Sequence, residues 1–116
     1  MSRFIGGSVF ALAACAACAT VPIPNDKLAA TEASHRGAQE AGADAVPRAK
    51  LHLKFAEEGI AQARKLIAER RNDEAAQLLD RAKADAELAV GLSRESQAER
   101  EAQQAAEQIK ALRANL

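Results

Sequence analysis

The stretch PRAKLHLKFAEEGIAQARKLIAERRNDEAAQLLDRAKADAELA, residues 47–89, decides the fold. Within it Ala49, Leu53, Ala56, Ile60, Ala63 and Ile67 recur at steps of 4, 3, 4, 3 and 4, the spacing of one face of an α-helix. Leu51, Phe55 and Leu66 are expected to widen that face. Pro47 suits the first helical turn, where its missing N–H has no intrahelical partner to lose. Asn72-Asp73 supplies a break, with Asn expected in a left-handed turn and Asp as the next cap. The spacing then resumes through Ala75, Leu79, Ala82, Ala86 and Ala89. Two amphipathic helices joined by so short a break fold back on each other as an antiparallel hairpin.

Working outward, Asn25 and the residues after it are rich in Ala, Glu, Gln, Arg, Lys and Leu, the strong helix formers, and no β-branched run exists to seed a strand. A first helix is expected from about Lys27 to Ala43, capped by Asp26, with Ala30, Ala33, Gly37 and Ala41 as a small-residue inner face. Beyond Gly91 the segment from Leu92 to Gln97 is mostly polar. A second seam follows at Ala98, Ala102, Ala105, Ile109, Leu112 and Leu116. Ser96 and Glu99 have capping-box spacing, which would mark a break. The favoured reading is one long helix whose apolar stripe changes face, so that its last part leaves the hairpin. The expected fold is therefore all-α: a hairpin or three-helix arrangement over 25–92 with a C-terminal helical extension over 93–116.

The chain has 116 residues and a mass of 12.2 kDa, enough for one small domain. Sixteen basic side chains balance sixteen acidic ones, and Trp and Tyr are absent, so neither a net positive field nor stacking platforms point to nucleic acid. Alanine supplies 30 residues, and only 18 large aliphatic or Phe side chains lie between Val21 and Leu116. At about 1.5–3 kcal/mol for each one fully buried, such a core is thin, and small domains of this kind lean on self-association or a partner helix. The seam from Ala98 to Leu116 is the expected place. Residues 47–71 carry seven basic and three acidic side chains, while 73–116 carry six and nine, which favours antiparallel pairing of the two. The same basic helix, through Arg64, Lys65, Arg70 and Arg71, is also a candidate anion or partner contact.

At the other end, Met1-Ser2-Arg3 is a short basic start, and an apolar, small-residue run follows from Phe4. That order is the mark of a secretory signal peptide. Leu12-Ala13-Ala14-Cys15 resembles the lipobox of bacterial lipoproteins. By that resemblance residues 1–14 are cut away, Cys15 receives a diacylglyceryl thioether and its new amine is acylated. Ala16 follows the cysteine where Asp commonly retains Gram-negative lipoproteins at the inner membrane, so the resemblance implies the inner leaflet of the outer membrane, facing the periplasm. Residues 15–24 then form a lipidated tether, with Pro22 and Pro24 excluding helix. Cys18 as the modified residue, ordinary cleavage after Ala19, and an uncleaved anchor are the alternatives. Several acyl chains on one cysteine anchor stably, since each buried methylene contributes about 0.8 kcal/mol.

Chemistry is harder to find. Cys15 and Cys18 have C-x-x-C spacing, but no second Cys or His pair follows to complete a zinc site. Glu32-Ala33-Ser34-His35 matches the Glu-x-x-His of di-iron bundles, which need a second copy and two further glutamates. His35 and His52 are the only histidines, so both are read as helix-surface residues. No Gly-rich phosphate loop, nucleophile elbow or Ser-His-Asp set is present. An enzyme is not expected, nor a cofactor, a metal or a small-molecule substrate.

In this order of parts the chain resembles the family of short bacterial envelope lipoproteins known as domain of unknown function 4398. The residues that carry the resemblance are Ala41-Gly42-Ala43, Pro47, Leu51, Ala56, Ala63, Glu74-Ala75, Leu79, Ala82 and Ala84-Asp85-Ala86-Glu87-Leu88-Ala89. Family members often carry Gly-Asp/Asn-Tyr at the turn between the second and third helices, where this chain has Arg70-Arg71-Asn72. Some relatives continue into a peptidoglycan-binding domain, and the family has no activity to carry over. The expected role is a non-enzymatic, membrane-anchored helical module of the cell envelope that scaffolds or docks with a protein partner or a second copy. Two other roles stand beside it. One is an anion- or lipid-binding helical pair. The other is a structural protein like murein lipoprotein, against which the sequence Arg113-Ala114-Asn115-Leu116 offers no terminal lysine for attachment to peptidoglycan.

Overall fold

A computed structural model describes residues 20–116. Three helices follow a short extended lead: α1 (Asn25–Glu40), α2 (Pro47–Ala68) and α3 (Asn72–Ala114). The expected signal peptide, residues 1–14, and both cysteines lie outside the described residues. Pro24 ends the lead and precedes α1, and Asp26 stands in the first turn, beside the positive end of the helix dipole, without capping it. α1 stops earlier than Ala43. Gly42 takes a left-handed conformation (φ +81°) and its N–H bonds to the Gln39 carbonyl, which closes the last turn. A 3-10 turn at Ala43–Ala45 and an extended Val46, the conformation that a following proline imposes, lead into Pro47 at the start of α2.

The break between α2 and α3 differs from the expected one. Arg70, not Asn72, adopts the left-handed conformation (φ +61°). The N–H of Arg71 reaches back to the Leu66 carbonyl at 2.9 Å and that of Arg70 to Ile67 at 3.0 Å, the paired bonds that terminate many helices. Asn72 already begins α3, and Asp73 lies within its first turn with no capping bond. The Asn72 amide is used otherwise: Nδ2 donates to the Val21 carbonyl at 2.8 Å, fastening the extended lead to this turn.

The helices run up, down and up. Ala63 and Leu66 of α2 share a cluster with Ala75 and Leu79 of α3, and Ala49 and Leu53 share another with Ala89 and Leu92, so α2 and α3 are antiparallel. α1 lies along α3 in the same direction, from Lys27 beside Asp80 to the Ala41 carbonyl beside Gln97. Nine of the fourteen buried apolar residues are alanines; the large ones are Leu53, Ile60, Leu66, Leu79 and Leu92. Between the two clusters Gly59 faces Ala82 so closely that a Cβ on Gly59 would stand 2.8 Å from that of Ala82. The expected seam of α3, Ala75 to Ala89, is buried throughout, and so is that of α2 except for half-buried Ile67.

Two expected faces are corrected. On α1, Ala30 and Ala33 are exposed, and the buried positions are Thr31 and Ala38, flanked by half-buried Leu28 and His35. This stripe holds the one large aliphatic of α1, and Thr31 meets the burial without an unpaired hydroxyl, because Oγ1 donates to the Lys27 carbonyl (2.7 Å) and lies 3.3 Å from that of Leu79. On α2, Leu51 and Phe55 remain 50% and 44% exposed, since with only two neighbouring helices the core reaches round too little of α2 to cover them. The Phe55 ring meets His52 edge-on, with centroids 5.8 Å apart. Leu66, by contrast, is buried as expected.

α3 is continuous through Ser96 and Glu99, with no break. Its last buried residue is Ser93, whose hydroxyl donates to the Ala89 carbonyl, and from Gln97 onward every residue is exposed. No helix among the described residues is long and apolar enough to cross a membrane.

Two glycines in α-helices test this packing with opposite signs. Gly91→Ala, where an added methyl meets nothing within 4 Å, should stabilise by about 0.5–1 kcal/mol through helix propensity. Gly59→Ala gains the same propensity but must push Ala82 away, an overpacking cost of about 1–3 kcal/mol. Thermal unfolding is expected to show a raised midpoint for the first variant and a lowered one for the second.

Candidate functional site

The four basic residues expected to form one contact surface are not equivalent. Arg64 leans toward α1, where Nη2 donates to Glu32 Oε1 at 2.6 Å. Arg71 is braced on both sides, with Nε 2.8 Å from Glu74 Oε1 and Nη1 3.2 Å from Glu69 Oε2. These bonds raise the Arg71 pKa further and hold the Glu74 carboxyl below the usual carboxylate range, the hydrogen bond from Arg71 being the main cause. Lys65 and Arg70 have no ion-pair partner among the described residues. The basic surface thus reduces to two unpaired cations at the α2–α3 turn. Val21 and Ile23 of the extended lead, both about half exposed, line a shallow recess there together with Arg70 and Asn72.

Sequence reading missed the side-chain ties between helices. Lys27 Nζ lies 2.6 Å from Asp80 and joins α1 to α3, and Glu32–Arg64 joins α1 to α2. His52 Nδ1 lies 2.8 Å from Asp85 Oδ1 and joins α2 to α3, so His52 is a half-buried cross-helix partner and not a simple surface residue. No sequence spacing announces a pair between separate helices. His35 lines a groove between α1 and α2 with Glu32, Glu57, Ile60 and Arg64, and its Nε2 is buried without a partner. Glu32, which lines the same groove, is already engaged by Arg64. Among the described residues no three His, Cys, Asp or Glu side chains come together to hold a metal.

The remaining candidate is the second seam. Ala98, Ala102, Ala105, Ile109, Leu112 and Leu116 are all exposed, Ile109 at 51% and Leu112 at 68%. Helical spacing puts Ala98 about two and a half turns beyond Ala89, on the side of α3 turned away from α1 and α2. Within the chain nothing among the described residues covers it. The lead and the extension also sit at opposite ends: Val21 meets the α2–α3 turn, whereas Gln97, where the exposed helix begins, meets Ala41 beside the α1–α2 loop.

The braced turn has a pH signature. Glu74 titrates lower in the folded chain than in the unfolded one, so its contribution to stability is present above the ordinary carboxylate pKa and fades as pH falls through the lowered value. Arg71→Gln should move the Glu74 carboxyl midpoint up toward the ordinary range, as read from side-chain carboxyl chemical shifts.

Comparison with known proteins places residues 26–105 in the family described as Domain of unknown function (DUF4398). No curated protein and no solved structure matches the chain. The match covers all three helices from the first turn of α1 into the exposed part of α3, and the chain belongs to the DUF4398 family.

Proposed function

We propose that the chain is a non-enzymatic lipoprotein of the bacterial cell envelope, anchored through acylated Cys15 to the inner leaflet of the outer membrane and facing the periplasm. Its bundle presents the exposed helix 97–116, at the end remote from the lead, for docking to another protein surface. The observation that carries the docking role is the uncovered apolar seam from Ala98 to Leu116 at the end of the bundle remote from the lead. Support for the anchor comes from Leu12-Ala13-Ala14-Cys15 and from the end where the lead arrives. Unpaired Arg70 stands there beside exposed Val21 and Ile23, a cation next to apolar side chains as suits the membrane interface, with Asp73 and Glu74 lining the same recess.

A separate anion-binding role for α2 is less well supported, because Arg64 and Arg71 already have carboxylate partners. Catalysis finds no support in the grooves beside α2, which open to solvent and mix helix-face charges with apolar side chains such as Leu51 and Leu53 without enclosing them.

Intact-mass spectrometry of the membrane-extracted protein tests the anchor directly. The expected species lacks residues 1–14 and carries a diacylglyceryl group and an amide-linked acyl chain on Cys15. Cys15→Ser should abolish that species and retain the leader, while Cys18→Ser keeps the cleavage and the acylation, its mass changed only by the exchange of sulfur for oxygen. A mature species that keeps residues 1–14, or one with a bare thiol at Cys15, refutes the anchor.

A further inference from the structure

The exposed part of α3 has opposite character at its two ends. Its seam begins with the small residues Ala98, Ala102 and Ala105 and continues with the large residues Ile109, Leu112 and Leu116. Charge changes along the same line. At the positions flanking the seam, Glu99 and Glu101 stand beside the small half and Arg113 beside the large half. Steps of 4 and 3 make the seam a heptad stripe of core positions, on which a second helix packs with side chains interleaved. We propose that residues 98–116 pair with the same segment of a second copy of this chain, antiparallel, about a two-fold axis near Glu107. The proposal rests on the docking role given above to this helix and names its partner.

Size and charge both select that arrangement. Antiparallel, the layers are Ala98 with Leu116, Ala102 with Leu112, and Ala105 with Ile109, each repeated by the two-fold. Every layer then combines one small and one large side chain, so the two axes stay equally spaced along the whole contact. A parallel pair stacks alanine on alanine at one end and leucine on leucine at the other, which cannot be filled at a single axis separation of roughly 8–10 Å. The antiparallel register also brings Glu99 beside Arg113 of the second copy, twice. Within residues 98–116 the parallel register sets Glu101 beside Ala106 and Gln108 beside Arg113, with no opposite charges facing. Since Ala98 lies on the side of α3 opposite the buried seam, the second helix approaches without meeting α1 or α2.

The interface is short, at the small end of specific contacts, and implies a weak, concentration-dependent dimer. Confinement of anchored copies to one surface raises their effective concentration. The pair puts the two leads at opposite ends of a rod about 100 Å long at 1.5 Å per helical residue, a shape that lies along a leaflet instead of standing on it.

Sedimentation velocity of the full chain, in density-matched non-ionic detergent under reducing conditions, tests the pairing with a readout independent of acylation. The wild-type chain should pass from monomer to dimer in the micromolar range. Glu99→Arg alone and Arg113→Glu alone each turn both flanking attractions into repulsions and should raise the dissociation constant roughly tenfold. Mixing the two variants restores both attractions, and so does combining the substitutions in one chain. Either should return wild-type strength, which also excludes misfolding as the cause of the loss. A wild-type chain still monomeric at about 100 µM, a concentration that would reveal affinities of roughly −5 kcal/mol, overturns the pairing. A dimer indifferent to both reversals overturns it as well. Capture of a different envelope protein by a monomeric chain through this helix would leave the docking role standing while removing the second copy as its partner.

Discussion

The distance between α2 and α3 at Gly59 and Ala82 governs the remainder of the bundle. With no side chain on Gly59 and a single methyl on Ala82, the two backbones come together closely enough that one more carbon would collide. On either side of that contact the larger residues pack in two clusters, Leu53 and Leu92 with alanines of all three helices and the α1–α2 loop, and Leu66 and Leu79 with Ala63 and Ala75. Close approach excludes enclosed space. The grooves that exist are shallow and lie between helix faces, so the molecule exposes its chemistry on its outer surface and at its ends.

A core of this kind gives little apolar area per residue, and polar ties between helices take on a larger part in fixing geometry. Lys27–Asp80 and Glu32–Arg64 are largely exposed pairs, each worth little as stabilisation. Their value is directional: they fix the slide of α1 along its neighbours, where a stripe of small residues would permit several positions. His52–Asp85 is more sheltered and pins the α2–α3 register beside the edge-on contact with Phe55. The same economy appears at the turns. Arg70 accepts a left-handed conformation usually left to glycine, while its neighbour Arg71 is held by Glu69 and Glu74.

Much of this was legible beforehand, and the failures have physical causes. The seam of α3 and most of that of α2 could be read directly, because a strict 4-and-3 spacing of apolar residues on a helix leaves one face to bury. The face of α1 could not. Alanines occur on several sides of that helix, and the deciding residues were Leu28 and a threonine able to satisfy its own hydroxyl through a helix carbonyl. Leu51 and Phe55 misled for a related reason, since apolarity shows what would be favourable to bury but not how many neighbours are present to cover it. At the α2–α3 turn Asn72 is the residue whose type suits a left-handed conformation, yet Arg70 takes it. The Asn72 amide instead holds the Val21 carbonyl, a contact 51 residues away that local turn chemistry does not contain.

From the amino-acid order alone followed the all-helical class, the helical breaks to within a few residues, the continuity of the last helix and the family. The class, the breaks and the continuity depend on propensity, periodicity and turn residues, which act over one or two helical turns, whereas the family rests on resemblance at particular residues. Only the tertiary structure decided which side of α1 turns inward, which of the four cations keep a free charge, and that the lead and the exposed helix occupy opposite ends. Those outcomes depend on neighbours distant in the chain. A periodic pattern encodes a face, whereas the partner of that face is chosen by packing in three dimensions.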